Sequence, residues 1–310
     1  MENEESWRLE YRIRPYLRHA PEHSLKDRLH DIMMNILYLT AEGKIGVKPP
    51  GRTQNPWLQK LIDLEHECHV RGLDIQKLSI EDLPYTKNLE IIKKNFSKLE
   101  KFRCRQMFCK YGQKKYMESM IKKGVVRVAP ASSFSGDGHN VAQKDQELAI
   151  TTYIGPYDYD LDMIDPYFRN LRPKRGVWEV NHVKPSDYYL YCVSASLDIR
   201  MFFDFNCDSC VVIHDQYEFE RRLKKAAASN FKNHVLIFDA AKYVDPYFIL
   251  QRLPADPIFL YFIKHLRFMY QGEYRLVIVS RDTDEVRMLE PVFLEIGNIE
   301  DIASLFILEH

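Results

Sequence analysis

The stretch YYLYCVSAS (188–196) is typical of a β-strand that finishes in two hydroxyl side chains, and other β-rich runs follow residue 102. These runs are VVRVA (125–129), LAITTYI (148–154), CVVIH (210–214), HVLIFDA (234–240), YRLVIVS (274–280) and VFLEI (292–296). Helical periodicity separates some of them, at 113–123, 159–170, 217–229 and 257–268. Because strands and helices do not alternate regularly, the pattern predicts an α+β domain rather than a doubly wound parallel sheet.

The first hundred residues have the periodicity of helices. Ser24 is predicted to cap a helix that ends near Gly43. A capping Asn55 followed by Pro56 predicts the start of a second helix, which Gly72 can terminate. A third helix is expected over 86–101.

This change from helical periodicity to strand-like runs divides the chain into a helical region, 1–100, and an α+β domain, 101–310. Two interpretations of the helical region stay open. It is either a module for target binding, partner binding or self-association, or a cap that packs on the second domain. Basic and aromatic residues are interleaved between Trp7 and Arg28, but carboxylates dilute them and weaken a nucleic-acid interpretation.

The composition of the chain excludes several classes of protein. Its 310 residues carry 44 basic and 44 acidic side chains, so no net charge attracts it to nucleic acid or anionic lipid. No apolar run reaches the roughly 18–20 residues of a membrane helix, and the acidic start MENEESWRLE does not resemble a secretory signal. Six cysteines are too few for a disulfide framework. We therefore expect a cytoplasmic protein that does not span a membrane.

Familiar metal and nucleotide motifs are absent from the sequence. The Cys207–Cys210 pair lacks a second pair at ligand spacing, so a polar turn before a strand is the better interpretation. The carboxylates between Asp158 and Asp165 fail the calcium-loop template, which needs a glycine at its sixth position. No Walker loop is present, and SGDGHN (135–140) is not followed by a helix. No metal site is predicted.

Three short motifs remain as candidates for a polar site, and each lies where a strand begins or ends. Strand alternation puts the two serines of the second motif on one face, and it can do the same for the two outer residues of the third. Ordinary explanations stay open, namely a surface ion pair between Glu273 and Arg275 and turn chemistry at the serines. The motifs are Lys110-Tyr111, Ser194-Ala195-Ser196 and Gln271-Gly272-Glu273.

The order of these motifs resembles a widespread bacterial family known only as a domain of unknown function. That family has a Lys-Tyr strand end, a loop with a phenylalanine, a Cys-Phe-Ser strand end, a Met-Trp-x-His-Tyr segment and a late Glu-x-Arg strand. The matching segments are Lys110-Tyr111, Ser133-Phe134, Cys192-Val193-Ser194, Met201 to Phe205 and Glu273-Tyr274-Arg275, within roughly 105–300. This chain departs from the family at Phe202 and Asp204, which replace its Trp and His, and in the loop after Phe134.

The same order also resembles that of ADP-ribosyltransferases. Those enzymes carry a basic or aromatic residue on an early strand, a Ser-x-Ser strand and a late Gln/Glu-x-Glu loop. Arg105, Lys110 and Tyr111 are alternatives for the first of these, and the bacterial family favours the last two. The resemblance implies split mixed and antiparallel β-sheets with flanking helices, preceded here by the helical region.

The resemblance also implies a function. An ADP-ribosyltransferase or an NAD glycohydrolase consumes NAD as its substrate, and such an activity suits a toxin or an antiviral defence effector. Glu273 would stabilise the oxocarbenium-like transition state of the ribose, and Gln271 would orient the acceptor, a protein or a nucleic acid. The NAD-binding residues would be Lys110 on the pyrophosphate, Tyr111 on nicotinamide, Ser194 and Ser196 on a ribose, and Phe134.

Two rival functions stay open at this point. The changed segment Met201 to Phe205 favours a non-catalytic binding or regulatory protein on a degenerate version of the same fold. A nuclease-like effector ranks last, because the sequence shows no cluster of metal-binding carboxylates on strands.

Overall fold

A computed structural model describes residues 2–40, 42–47, 56–77, 88–104, 106–135, 147–154, 178–184, 186–247, 257–281 and 289–309. The helices are α1 (Glu2–Ile13), α2 (Glu22–Ile36), α3 (Pro56–Val70), α4 (Leu89–Glu100), α5 (Lys114–Lys123), α6 (Arg200–Asp204) and α7 (Gln216–Asn230). The strands are β1 (Leu37–Leu39), β2 (Ile45–Val47), β3 (Phe108–Gly112), β4 (Val125–Pro130), β5 (Ala149–Ile154), β6 (Trp178–Val183), β7 (Tyr189–Ser194), β8 (Ser209–Ile213), β9 (His234–Ala240), β10 (Lys242–Val244), β11 (Ile263–His265), β12 (Glu273–Ser280), β13 (Val292–Glu295) and β14 (Ala303–Ile307). Short 3₁₀ helices cover Ile75–Lys77, Ala131–Ser135, Pro257–Phe262 and Leu266–Gln271.

Eight strands form one antiparallel sheet around β7. Along its main path the order is β13-β4-β7-β3-β8-β14, and β12 joins β7 to β9. Smaller pairs are antiparallel in β1–β2 and β5–β6 and parallel in β10–β11. The mixture of helices and antiparallel strands confirms the α+β class.

Helices cover both faces of this sheet. Side chains along each strand point alternately to the two faces, so each face has an apolar layer that a helix can bury. On β8, Val211 and Ile213 pack in one core cluster with apolar residues of α5 and α7. The intervening Cys210 and Val212 belong to a second cluster, which contains residues of α4 and α6. Thus α5 and α7 lie on the same face of the sheet, and α4 and α6 on the other.

The helices of the first hundred residues pack on one another and also contact the rest of the chain. The Arg28 guanidinium donates two hydrogen bonds, of 2.7 and 2.6 Å, to the buried Asp245 carboxylate. The Asn35 amide bonds the carbonyl of Arg267 at 2.9 Å and the N–H of Tyr270 at 2.8 Å. These bonds tie α2 to the segment immediately before β12.

One sequence prediction in the second domain is wrong. The run at 257–268 was expected to be a helix, but it forms a 3₁₀ helix, the strand β11 and the start of a second 3₁₀ helix. Its aromatic and β-branched residues are weak helix formers. Ile263 to His265 pair instead in parallel with Lys242 to Val244 of β10.

Two further expectations concern helix ends in the first hundred residues. Ser24 does not cap α2, which begins at Glu22 and ends at Ile36, before the β1–β2 hairpin and not near Gly43. Gly72 does end α3, since its φ of +68° is left-handed and the N–H of Leu73 bonds the carbonyl of Cys68 at 2.8 Å.

Several predictions lie outside the described residues. They concern Arg105, Asn55, the helix at 159–170 with its carboxylate cluster, and 136–140 of the glycine-containing loop. Among the described residues, no helix is both long enough and apolar enough to cross a membrane.

Candidate functional site

A gap opens in the sheet along one edge of β7. On its other edge, β7 pairs with β12 from Tyr189 to Ser194 without interruption. On the gapped edge, β4 pairs only with Tyr189 and Leu190, and β3 pairs only with Ser194. Strands β3 and β4 therefore diverge beside Tyr191–Val193, and the Lys110 ammonium donates to the Cys192 carbonyl there at 2.7 Å.

A cavity of about 150 Å³ lies at this gap, and most of the candidate residues line it. They come from β3, from the 3₁₀ helix after β4, from the end of β7 and from the turn before β12. The candidate residues that line the cavity are Lys110, Tyr111, Phe134, Ser194, Gln271 and Glu273. Residues that are distant in sequence therefore line one small cavity.

A left-handed turn aims Gln271 and Glu273 into the same cavity. Gln271 ends a 3₁₀ helix, Gly272 has a φ of +52°, and Glu273 opens β12 opposite Ser194. Only glycine adopts this conformation without strain. The Ser194 hydroxyl donates to the Gln271 carbonyl, and the N–H of Ala195 donates to the Gly272 carbonyl at 2.8 Å. The turn is thus fixed to the end of β7.

Both oxygens of the Glu273 carboxylate are held by cations. The Lys264 ammonium lies 2.6 Å from Oε2, and Nε of Arg275 donates to Oε1 at 2.6 Å. Burial alone would raise the pKa of Glu273, but the charges of Arg275 and Lys264 outweigh it and hold the pKa well below its usual range. Glu273 is therefore ionised, and its pair with Arg275 is a buried one, not a surface pair.

The two cations belong to a larger buried network. Arg275 also donates two bonds, of 2.9 and 2.7 Å, to the Glu147 carboxylate. Lys184 lies 3.6 Å from Glu147 and donates to the Tyr188 hydroxyl at 2.9 Å. Three cationic and two anionic side chains make this network positive by one charge. This balance favours a ligand that brings negative charge into the cavity.

Lys110 and Tyr111 stand on the opposite wall of the cavity. Burial lowers the pKa of Lys110, whose ammonium also lies 4.5 Å from the centre of the Tyr191 ring. The Tyr111 hydroxyl donates to the Ser196 carbonyl at 3.0 Å and accepts from the N–H of Asp198 at 2.9 Å. The phenol is therefore fixed at its polar end, while its ring borders the cavity.

The two serines have different positions. Ser194 is buried, and its Oγ accepts from the N–H of Ser196 at 3.0 Å in addition to its bond with Gln271. Ser196 does not line the cavity, and only its backbone groups contact Ser194 and Tyr111. The Ser-x-Ser motif thus has a clear part in shaping the turn. Of the two serines, only Ser194 lines the cavity and can contact a ligand there.

Several residues that border the cavity were not among the predicted catalytic or NAD-binding residues. Lys264 and Glu147 line it, as do Met201 of α6 and Phe205 immediately after that helix. A lysine within the apolar run PIFLYFIKHLRF is a signal of a buried charge, and it could have drawn attention to Lys264. Glu147 precedes a strand-like run and carries no such signal.

Metal binding and thiol chemistry find no support among the described residues. No group of three or more His, Cys, Asp or Glu side chains is placed there to hold a metal ion. All six cysteines are free, and burial raises the pKa of the Cys207 thiol to about 12. Such a thiol is protonated at neutral pH and is a poor ligand and nucleophile.

Comparison of the chain with protein-family models, with curated proteins and with solved structures finds no match in any of the three. Its function is therefore inferred from the chemistry of the cavity.

Proposed function

We propose that the chain is an NAD-consuming enzyme, either an ADP-ribosyltransferase or an NAD glycohydrolase. The observation that carries this proposal is the meeting of Lys110, Tyr111, Ser194, Gln271 and Glu273 at one cavity. The residues come from motifs that are far apart in the sequence, and the same motifs carry the resemblance to ADP-ribosyltransferases. The divergence of β3 and β4 from β7 also supports the expected split sheet.

The proposed reaction breaks the bond between C1′ of the ribose and the nicotinamide nitrogen. The bonding electrons leave with neutral nicotinamide, and positive charge develops on the ribose. The ionised Glu273 stabilises this charge electrostatically, and its low pKa makes it a poor proton acceptor. Gln271 orients the attacking nucleophile, water or an acceptor group, whose proton passes to solvent.

The dimensions of the site fit a dinucleotide only if two cavities are used. About 150 Å³ accommodates one ring-sized group, whereas typical ligand sites measure about 300–1,000 Å³. A neighbouring cavity of about 670 Å³ shares Lys110, Tyr111 and Phe205 with it. The ribose would enter the small cavity beside Glu273, and nicotinamide and the rest of NAD would extend past Tyr111 into the larger cavity.

The ion pairs of Glu273 impose a condition on this reaction. A carboxylate that is neutralised by two cations stabilises a developing cation poorly. Catalysis therefore requires Lys264 to leave Glu273 when the substrate binds. The phosphate that is bonded to this ribose would attract the ammonium, since it carries a negative charge.

The test compares the wild-type protein with Glu273→Gln. Each protein is incubated with NAD, and nicotinamide release is measured by liquid chromatography. The amide keeps the size and an acceptor oxygen but loses the charge, so we expect release to fall by about 10²–10³. Glu5→Gln, at an exposed carboxylate on α1, is the matched control and should release nicotinamide at the wild-type rate.

Thermal unfolding of each variant shows that it is folded before rates are compared. Equal release by the wild type and Glu273→Gln would reject Glu273 as the catalytic group. A wild type that neither releases nicotinamide nor gains thermal stability with NAD would reject the proposed function as a whole.

The second candidate is a non-catalytic binding or regulatory protein on the same fold. The observation that favours it is the double ion pair of Glu273, which leaves neither carboxylate oxygen without a cation. On this alternative the network stabilises the fold, NAD causes no thermal shift, and Glu273→Gln leaves the function of the protein unchanged.

A further inference from the structure

A basic surface covers α5 and the strand that follows it. Between residues 114 and 127 the chain has five basic side chains and one carboxylate, although its overall charge is zero. Lys114, Lys122, Lys123 and Arg127 are exposed. Within the described part of the chain, none of these four forms a salt bridge. Their charge is therefore available to an external anion.

Exposed aromatic rings border the cavity beside these cations. This cavity, of about 670 Å³, is lined by Tyr116 of α5, Arg127 of β4 and Phe293 of β13. Tyr116 and Phe293 are each 60% exposed, which is unusual for large aromatic side chains. Flat rings beside cations form the platform on which the bases of a single-stranded nucleic acid stack.

The cavity continues in both directions as a groove. Phe293 also lines a third cavity, of about 630 Å³, whose other wall includes Arg222 and Lys225 of α7. At the opposite end the groove reaches Lys110 and Tyr111, which it shares with the cavity that holds Glu273. An extended ligand could therefore lie across α5, β13 and α7 with one end beside Glu273.

The chemistry of the groove distinguishes among polyanions. An acidic peptide offers carboxylates but need not offer planar rings to stack on Tyr116 and Phe293. An anionic membrane is flat, whereas these rings border a concave cavity. Alternating phosphates and bases match both the cations and the rings of a linear groove.

We infer that this groove binds a single-stranded nucleic acid, with bases against Tyr116 and Phe293 and phosphates against Arg127 and Lys225. The strand would be the acceptor of the proposed transfer, because the groove ends at Lys110 and Tyr111, which border the cavity that contains Glu273. That acceptor role rests on the proposed function, whereas the binding itself does not.

The test is a binding titration without NAD. Fluorescence anisotropy of labelled 12-nucleotide single strands, one of RNA and one of DNA, is measured with the full chain. Tyr116→Ala should weaken binding by about 5- to 160-fold, the range for loss of one stacked base. Tyr217→Ala is the matched control, because Tyr217 is 78% exposed on α7 and lines neither part of the groove.

The charge of the groove is tested by the salt dependence of binding. The double variant Arg127→Gln/Lys225→Gln removes two exposed cations that line the groove. It should reduce the slope of log K against log salt by about 1.4, the value for two phosphate contacts on a single strand. The double variant Lys26→Gln/Lys44→Gln removes two exposed lysines elsewhere and should leave the slope unchanged.

Three outcomes would overturn the inference: no binding of either single strand, equal losses in the groove variants and their controls, or anionic vesicles or polyglutamate bound more tightly than the single strands. Nicotinamide release is measured with the wild-type protein alone, because Tyr116 and Arg127 line the cavity into which the rest of NAD would extend. If nicotinamide is released but no strand binds, only the proposed binding groove is rejected. If a strand binds but no nicotinamide is released, only the proposed reaction is rejected.

Discussion

Lys264→Met tests whether the ion pair at the centre of the cavity contributes as much as its geometry indicates. Lys264 is buried on β11, and its ammonium lies 2.6 Å from Glu273 and 3.2 Å from the Gln271 side-chain oxygen. Methionine has a similar length but no charge. The variant therefore removes the cation and leaves the apolar packing of the side chain largely in place.

The expected magnitude follows from the distance and the burial. Two unit charges 2.6 Å apart attract by about 6 kcal/mol at an effective dielectric constant of about 20. Desolvation of both groups offsets part of this attraction, and removal of one partner of a buried pair costs about 3–5 kcal/mol. Because Arg275 remains on the other oxygen of Glu273, we expect a loss of about 3 kcal/mol at pH 7.

The loss should depend on pH in a defined direction. The pKa of Glu273 is lowered in the folded wild type, so its ionised form adds stability above the unfolded pKa of about 4.3. That contribution is lost as the pH falls through the lower, folded pKa. Without Lys264 the folded pKa rises. The stability difference between the two proteins should therefore be full above about pH 5 and shrink below about pH 4.

The assay is thermal and urea unfolding of both proteins between pH 3 and 7. A chain of this length loses about 2 °C in its thermal unfolding midpoint for each kcal/mol of stability. The midpoint of Lys264→Met should therefore lie about 6 °C below that of the wild type at pH 7. Lys232→Met, at an exposed lysine, is the control and should change the stability by less than about 0.5 kcal/mol. The double variant Lys264→Met/Glu273→Gln should show a coupling of about 2–3 kcal/mol. Unchanged stability, or a difference independent of pH, would refute the reasoning.

Two further predictions concern the packing that surrounds the site. Arg28→Leu should destabilise the chain by about 3 kcal/mol in urea unfolding, since it breaks the buried double hydrogen bond to Asp245; an unchanged midpoint would contradict that role. Gly124→Ala should cost about 3 kcal/mol, because φ is +67° and the new Cβ would lie 1.9 Å from the Gly297 carbonyl oxygen. Gly72→Ala, at a φ of +68° with nothing within 4 Å, should cost only about 1 kcal/mol, and equal losses at the two glycines would argue against the clash.

The strands were the most predictable part of the fold. HVLIFDA was expected at 234–240, and β9 spans the same residues. Such runs are recognisable because their β-branched and aromatic residues need burial on a sheet. The run at 257–268 is apolar throughout, and an apolar run of that kind does not distinguish a helix from a buried strand. Pairing with β10, which is distant in sequence, decided its conformation.

The candidate site was predictable in its residues but not in its charge state. Strand alternation could put Gln271 and Glu273 on one face only if the strand began early, but β12 begins at Glu273. The left-handed turn at Gly272 brings both side chains to the same cavity instead. The partners of Glu273 could not be foreseen. Lys264 lies nine residues earlier on a different strand, and Glu147 reaches the network through Arg275 from 128 residues away.

By itself the sequence determined the α+β class, most strands of the main sheet and the short polar motifs, since these depend on local periodicity and on the chemistry of neighbouring residues. Only the tertiary structure decided that β3 and β4 diverge beside β7 and that Lys264 and Arg275 neutralise Glu273. The physical reason is that ion pairing falls off with distance in space. Distance in space between residues that are remote in the chain is set by strand pairing and packing, and no local pattern encodes it.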